Sequence, residues 1–176
     1  MSTEQTVQAW LRERGAERID HPGGTLYAHL VRVHDRLGAL GHDPQVRLAG
    51  LAHAVYGTDG FDLTLLAVAD RAPLRELVGD RAEALIYLYG ACDRSRTWKA
   101  LPATRQVWDR FTGEWRGLSP EQVGPFTDLS IVNELDVAEQ DAAFVPRYGD
   151  YFRDLFGSWA PLASPAVLAE ARRILG

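Results

Sequence analysis

Apolar positions along the chain recur mostly at three- and four-residue spacing, and alternating strand-like runs are nearly absent. That period predicts an all-α fold. Residues 2–14 place Val7, Trp10 and Leu11 on one face, with Thr3 available as cap and Gly15 as stop. The segment ERIDHPGG then reads as a turn, in which Pro22 steers His21 away from helical backbone. Leu26, Leu30, Val33, Leu37 and Leu40 form the stripe of a second helix capped by Thr25. Asp43 as cap and Pro44 as first helical residue open a third, carrying Val46, Leu48, Leu51, Ala52 and Val55 and ending at Tyr56-Gly57. The short connection makes the second and third helices antiparallel neighbours.

Further helices are expected over residues 63–71, from Pro73 to Val78, and from Asp80 to Cys92. Over residues 98–117 the period weakens, and Gly113 interrupts it, so a loop with helical turns is expected there. Ser119-Pro120-Glu121-Gln122 is a helix-start signature, with Ser119 as cap and Gln122 reaching back. That helix continues to about Gln140. The aromatic run AAFVPRYGDYFRDLFGSW reads as a loop and a short helix, and a last helix follows Ser164-Pro165. Neither a repeat nor a long linker interrupts residues 1–176. The expectation is therefore one helical domain, with its core at about residues 20–140 and C-terminal helices closing it.

Composition narrows the function classes. The 176 residues are 46% hydrophobic and 24% charged, with a formal net charge of −5, ordinary for a globular protein. No basic stripe offsets the negative balance, which argues against a nucleic-acid partner; a local arginine pocket for a small anion remains open. One cysteine, Cys92, excludes an internal disulfide and a cysteine-rich zinc site. No run reaches the ~18 apolar residues of a membrane span, and the N-terminus lacks an apolar leader. A cytoplasmic protein acting on a small molecule is the expectation, with no membrane partner. Aromatic residues near Trp108, Phe111 and Trp115 suggest a homodimer contact.

The candidate chemistry is concentrated. All five histidines lie within residues 21–61. His29 borders the buried stripe of the second helix, and His53 sits among Ala49, Gly50, Ala52 and Ala54. A histidine in an apolar pattern needs a hydrogen-bond or metal partner, and two on successive helices can face one another. His21, His34 and His42 read as turn or surface residues. Asn133, inside IVNELDV, is the best-placed later polar group, since a mid-helix asparagine is costly by propensity.

The motifs TLYAHL, GLAHAVYGTDGF and DLSIVNELD resemble the HD superfamily of helical, metal-dependent phosphohydrolases, and more closely a branch in which a histidine and a small residue precede Tyr-Gly-Thr. The resemblance covers about residues 27–139. It implies His29 as the first ligand and His53 as the second, with Ala54 where an aspartate would stand. It also puts Asn133 in place of a final aspartate. The block is also similar to the hydrolase domains of guanosine-tetraphosphate metabolism, which carry acidic residues just after this position, as Asp59 does here. His34-Asp35 spells the letters HD but follows His29 by only five residues and precedes the helix that carries His53, and it is set aside.

The resemblance thus implies a degenerate site. His29, His53 and Asn133 would hold one divalent ion (Mn, Fe or Zn), with Asp59, Asp93 or Glu134 as substitutes, or no metal is bound. His29, His53 and Asp59 are the candidate catalytic residues, and Tyr56, Asp93, Arg94 and Arg105 the candidates for substrate binding. The expected function is a metal-dependent, hydrolase-like enzyme acting on a small anionic metabolite. A metal-free lyase or isomerase using histidine acid–base chemistry, an iron-dependent oxygenase, and a non-catalytic small-molecule-binding protein are the alternatives.

Overall fold

The first helix opens on a reciprocal cap. The Ser2 hydroxyl accepts from the Gln5 amide, and the Gln5 side chain accepts from the Ser2 amide, which satisfies two otherwise orphaned donors. The cap is thus Ser2, one residue before the expected Thr3. The computed structural model describes residues 1–176. It contains ten α-helices, one 3-10 turn and two small, open, two-stranded antiparallel sheets, so the chain is mostly helical and of the all-α class expected. It divides into two compact units, Met1–Gly90 and Ala91–Gly176.

In the first unit, α1 (Thr3–Glu13) buries Val7 and Leu11. The ERIDHPGG segment closes as a minimal hairpin, β1 (Asp20–His21) against β2 (Gly24–Thr25), with His21 opposite Gly24. Thr25 caps α2 (Leu26–Ala39), and Asp43 caps α3 (Pro44–Ala52) with Pro44 at its first turn, as expected. Helices α2 and α3 run antiparallel. Gly38 faces Arg47 near one end of the pair, and Gly50 faces Leu37 and Val33 further along. A Cβ on Gly50 would lie 2.4 Å from the Leu37 Cδ1, so the approach of the two helices depends on that glycine.

Two helix extents differ from expectation in this unit. Helix α3 stops at Ala52, and residues 53–56 form a turn rather than its last turn. Residues 63–71 are not helical. There the Val55 carbonyl accepts from both Leu65 and Leu66 amides, which ties the segment down irregularly, while Leu63 stays exposed. Regular structure resumes with α4 (Ala72–Val78), as expected, and α5 (Asp80–Ala91).

In the second unit, the short helices α6 (Arg94–Thr97) and α7 (Leu101–Thr104) precede a hairpin, β3 (Gln106–Asp109) with β4 (Glu114–Gly117). The loop expected over residues 98–117 is therefore partly strand. Its stabilising residue is Asp109, fully buried. That carboxylate accepts from the Phe111 and Thr112 amides and from the Arg116 guanidinium. Gly113, at φ 72°, supplies the left-handed residue of the turn. Trp108 and Trp115 pair across it with centroids 5.4 Å apart.

Helix α8 (Pro120–Gln140) starts on the expected Ser119 capping box. The aromatic run forms α9 (Phe144–Ser158), longer than the short helix expected, and α10 (Pro165–Leu175) packs on α8 and α9. Trp159 is fully buried, and its indole N–H donates to the Trp98 carbonyl at 3.0 Å. No helix is long and apolar enough to cross a membrane.

Candidate metal centre

The early end of α3 decides how His53 is held. As the residue that caps the helix, it donates Nδ1–H to the Gly50 carbonyl one turn back at 2.7 Å. In a neutral ring that bond leaves Nε2 as the acceptor. His53 Nε2 lies 3.3 Å from His29 Nε2, which reaches it from α2, and each histidine is 1% exposed. The rings stand nearly perpendicular, 79° apart, with centroids at 5.2 Å.

This spacing has two chemical readings. Without an ion, His29 Nε2–H donates to His53 Nε2. With one, two ligands at about 2.0–2.1 Å in a tetrahedral arrangement stand about 3.3–3.4 Å apart, which is the separation found. Around the pair, Tyr89 presents an edge to His53 at 5.0 Å, His21 stacks on His29 at 4.1 Å, and Phe61 meets His21 edge-on at 5.5 Å.

A second group lies on the same helix. His34, expected at a turn or surface, is buried. It follows Leu30 by four residues and precedes Leu37 by three, so it shares their face. Its Nδ1 is 2.8 Å from Asp35 Oδ1 and its Nε2 is 3.6 Å from Glu4 Oε2. One ligand atom from each of Glu4, His34 and Asp35 lies within 4.8 Å of the others. One imidazole and two carboxylates form a cluster capable of coordinating a divalent ion. The His34-Asp35 pair set aside on sequence grounds is thus part of a metal-capable cluster.

The other candidate residues fall into distinct settings. Asp59 is exposed, in the bend closed by the Thr58–Phe61 bridge. Tyr56 is fully buried and donates its hydroxyl to Glu83 at 2.7 Å. Arg71 binds the same carboxylate through two bonds, at 2.6 and 2.7 Å. Burial alone would raise the Glu83 carboxyl, yet the Arg71 and Tyr56 bonds outweigh it and hold the group below the usual range. Burial, reinforced by the Glu83 charge, pushes the Tyr56 hydroxyl upward.

In the second unit, Asp93 caps α6. Its carboxylate accepts from the Arg96 amide at 3.0 Å and from the Ser95 hydroxyl at 2.8 Å. Burial opposes ionisation of Asp93, and these bonds still keep its carboxyl low. Arg94 pairs with Glu134 at 3.2 Å, and Asn133 donates to the same Glu134 oxygen at 2.9 Å. Arg105 is exposed and holds the left-handed C-cap of α7 at φ 51°. Trp115 is exposed, whereas Trp108 and Phe111 are half-buried.

The structure therefore brings together His29 and His53, and adds His21 and Tyr89, which the sequence reading left outside the site. Glu83 was also missed, although a carboxylate three and four residues before Ile86 and Tyr87 shares their helix face and so signals a buried partner.

A family model described as a domain of unknown function (DUF6817) matches residues 10–94. That stretch contains all five histidines but not Arg105 or Asn133. No curated protein and no solved structure matches the chain. None of these findings ties the chain to the HD superfamily, whereas its helical class and its metal-capable cluster stand on the geometry above.

Proposed function

We propose that the protein is a metal-dependent, hydrolase-like enzyme acting on a small anionic metabolite, with His29 and His53 as the nucleus of its metal centre. The observation that carries this reading is the Nε2–Nε2 separation of 3.3 Å, with His53 fixed by the Gly50 carbonyl. Anchoring one ring nitrogen on a backbone carbonyl is how ligating histidines are oriented. A divalent ion bound there would activate water and attract an anionic substrate. Asp59 is the nearby candidate in sequence for orienting that water.

The test measures bound metal on the purified protein, then activity on phosphate mono- and diester probes with Mn, Fe(II) or Zn added. Wild type is expected to bind metal and turn over one of these probes. His53→Ala and His29→Ala should lose the activity and the ion bound at this pair, and His34→Ala should retain the activity. Full metal content and activity in His53→Ala would remove the histidine pair from the assignment.

The same pair favours a second reading. Two imidazoles sharing one proton can serve as general acid and base without any ion. Turnover that persists in excess chelator and is lost in His53→Ala selects this metal-free alternative.

A further inference from the structure

We infer that the groove between α9 and α10 is a second binding site, which takes a small amphiphilic carboxylate, an anionic head on a short apolar body. The site lies wholly within the second unit and shares no residue with the histidine pair. Two helix faces form it. On α9, Arg153, Phe156 and Gly157 stand at i, i+3 and i+4; on α10, Leu168, Arg172 and Leu175 stand at i, i+4 and i+7. Each set therefore makes one stripe of its helix, and the two stripes line a cavity of about 380 Å³. That volume falls within the ~300–1,000 Å³ of small-molecule pockets.

The lining is apolar at its floor and cationic at its rim. Phe156 and Leu175 are buried, Leu168 is half-buried, and both arginines are exposed. Gly157 helps keep the space open, since a Cβ built there meets no atom within 4 Å. Arg153 reaches across to α10 and donates to the Leu175 carbonyl, and it also donates to the Asp150 carboxylate. Those bonds fix the guanidinium and leave further N–H donors of its fork for a ligand. Arg172 differs from its neighbour Arg173, which is paired with Glu139 and Glu170; no carboxylate of the chain pairs with Arg172. A guanidinium in that setting is matched by a planar carboxylate, which its fork can grip through two oxygens. The apolar floor asks that the same molecule carry a hydrocarbon body to cover it.

Isothermal titration of the full chain with octanoate tests this, with 1-octanol and acetate as controls for the head and the body. Octanoate should bind saturably, and each control at least about tenfold more weakly, since a hydrogen bond to a charged group is worth about that factor or more. Gly157→Leu puts a side chain into the groove from a helical position that has room for it. It should keep or raise the melting temperature and abolish octanoate binding. Arg172→Gln should weaken octanoate by about 10- to 100-fold and leave 1-octanol unchanged. Octanoate binding that survives intact in Gly157→Leu places the ligand elsewhere and overturns the site. Equal binding of octanoate and 1-octanol overturns the anionic class, and no saturable binding by wild type overturns the inference as a whole. Sedimentation of both proteins addresses the other occupant: a wild-type dimer that Gly157→Leu dissociates would mean that a second copy fills the groove, and the ligand assignment would fall.

Discussion

The Tyr56 hydroxyl and the Glu83 carboxylate, 27 residues apart in sequence, form a buried hydrogen bond of 2.7 Å. Arg71 completes the network through its bidentate pair with Glu83. Tyr56 follows His53 by three residues, so this network anchors the turn that carries the histidine. Tyr56→Phe should cost about 1.5–3 kcal/mol, the loss of one hydrogen bond to a charged group whose oxygen keeps its Arg71 donor. Glu83→Ala should cost about 2–4 kcal/mol, because it strands the Arg71 charge. Urea denaturation of the two variants checks both values.

The same carboxylate makes stability depend on acid. Glu83 ionises below its reference value of 4.5 in the folded chain, so the folded state binds its proton less readily than the unfolded state does. Its contribution is complete above that reference value and is lost as pH falls through the lower folded value. Urea midpoints measured from pH 7 to pH 3 should fall more steeply below about pH 4.5 in wild type than in Glu83→Gln. Parallel curves would show that Glu83 does not carry the acid dependence.

Gly50→Ala tests the close approach of α2 and α3. The added methyl would meet Leu37 Cδ1 at 2.4 Å and Val33 Cγ1 at 3.3 Å, both on fully buried side chains. Overpacking of this kind costs about 1–3 kcal/mol, against a helix-propensity gain of about 1 kcal/mol. Net destabilisation is expected in a thermal melt, together with weaker metal binding, because Gly50 also supplies the carbonyl that holds His53.

Asp109→Ala should unpin the β3–β4 hairpin. It removes the acceptor of two backbone amides and of the Arg116 guanidinium, a loss of about 2–4 kcal/mol for a buried, charge-assisted set. Amide exchange at Phe111 and Thr112 should accelerate far more than exchange in α8. Uniform acceleration would mean that the hairpin does not open locally.

A metal held by the folded chain must stabilise it. At a free ion concentration of about 100 times the dissociation constant, the gain is about 2.7 kcal/mol. Zinc should raise the melting temperature of wild type and leave that of the His29→Ala, His34→Ala double variant unmoved. Chelator should reverse the effect.

Helix starts were the most legible part of the chain. Thr25, Asp43-Pro44, Ser119-Pro120 and Ser164-Pro165 each begin a helix as read, because a cap acts within one turn and its signal is local. The hairpin of residues 106–117 was not legible, since its register depends on Asp109 being buried and bonded from several directions, which no short window reveals. Residues 63–71 misled for the converse reason. Their apolar spacing suits a helix, but two amides are taken by the distant Val55 carbonyl. At the candidate site, the facing of His29 and His53 followed from their antiparallel helices. The stacking of His21 on His29 did not, because a two-residue strand leaves no periodic trace.

Helix α2 carries His29 and His34 five residues apart, about 7.5 Å along its axis; the first faces His53 and the second lies in the Glu4–His34–Asp35 cluster. On the metal reading proposed above, one rigid element would serve two addresses for metal. Stoichiometry becomes a structural readout: two ions per chain when both sets are filled, and one when either histidine is replaced. Because both sets pull on the same helix, filling the first also restrains α2 before the second ion arrives, so the two ions are expected to bind with unequal affinity even where their ligands are chemically alike.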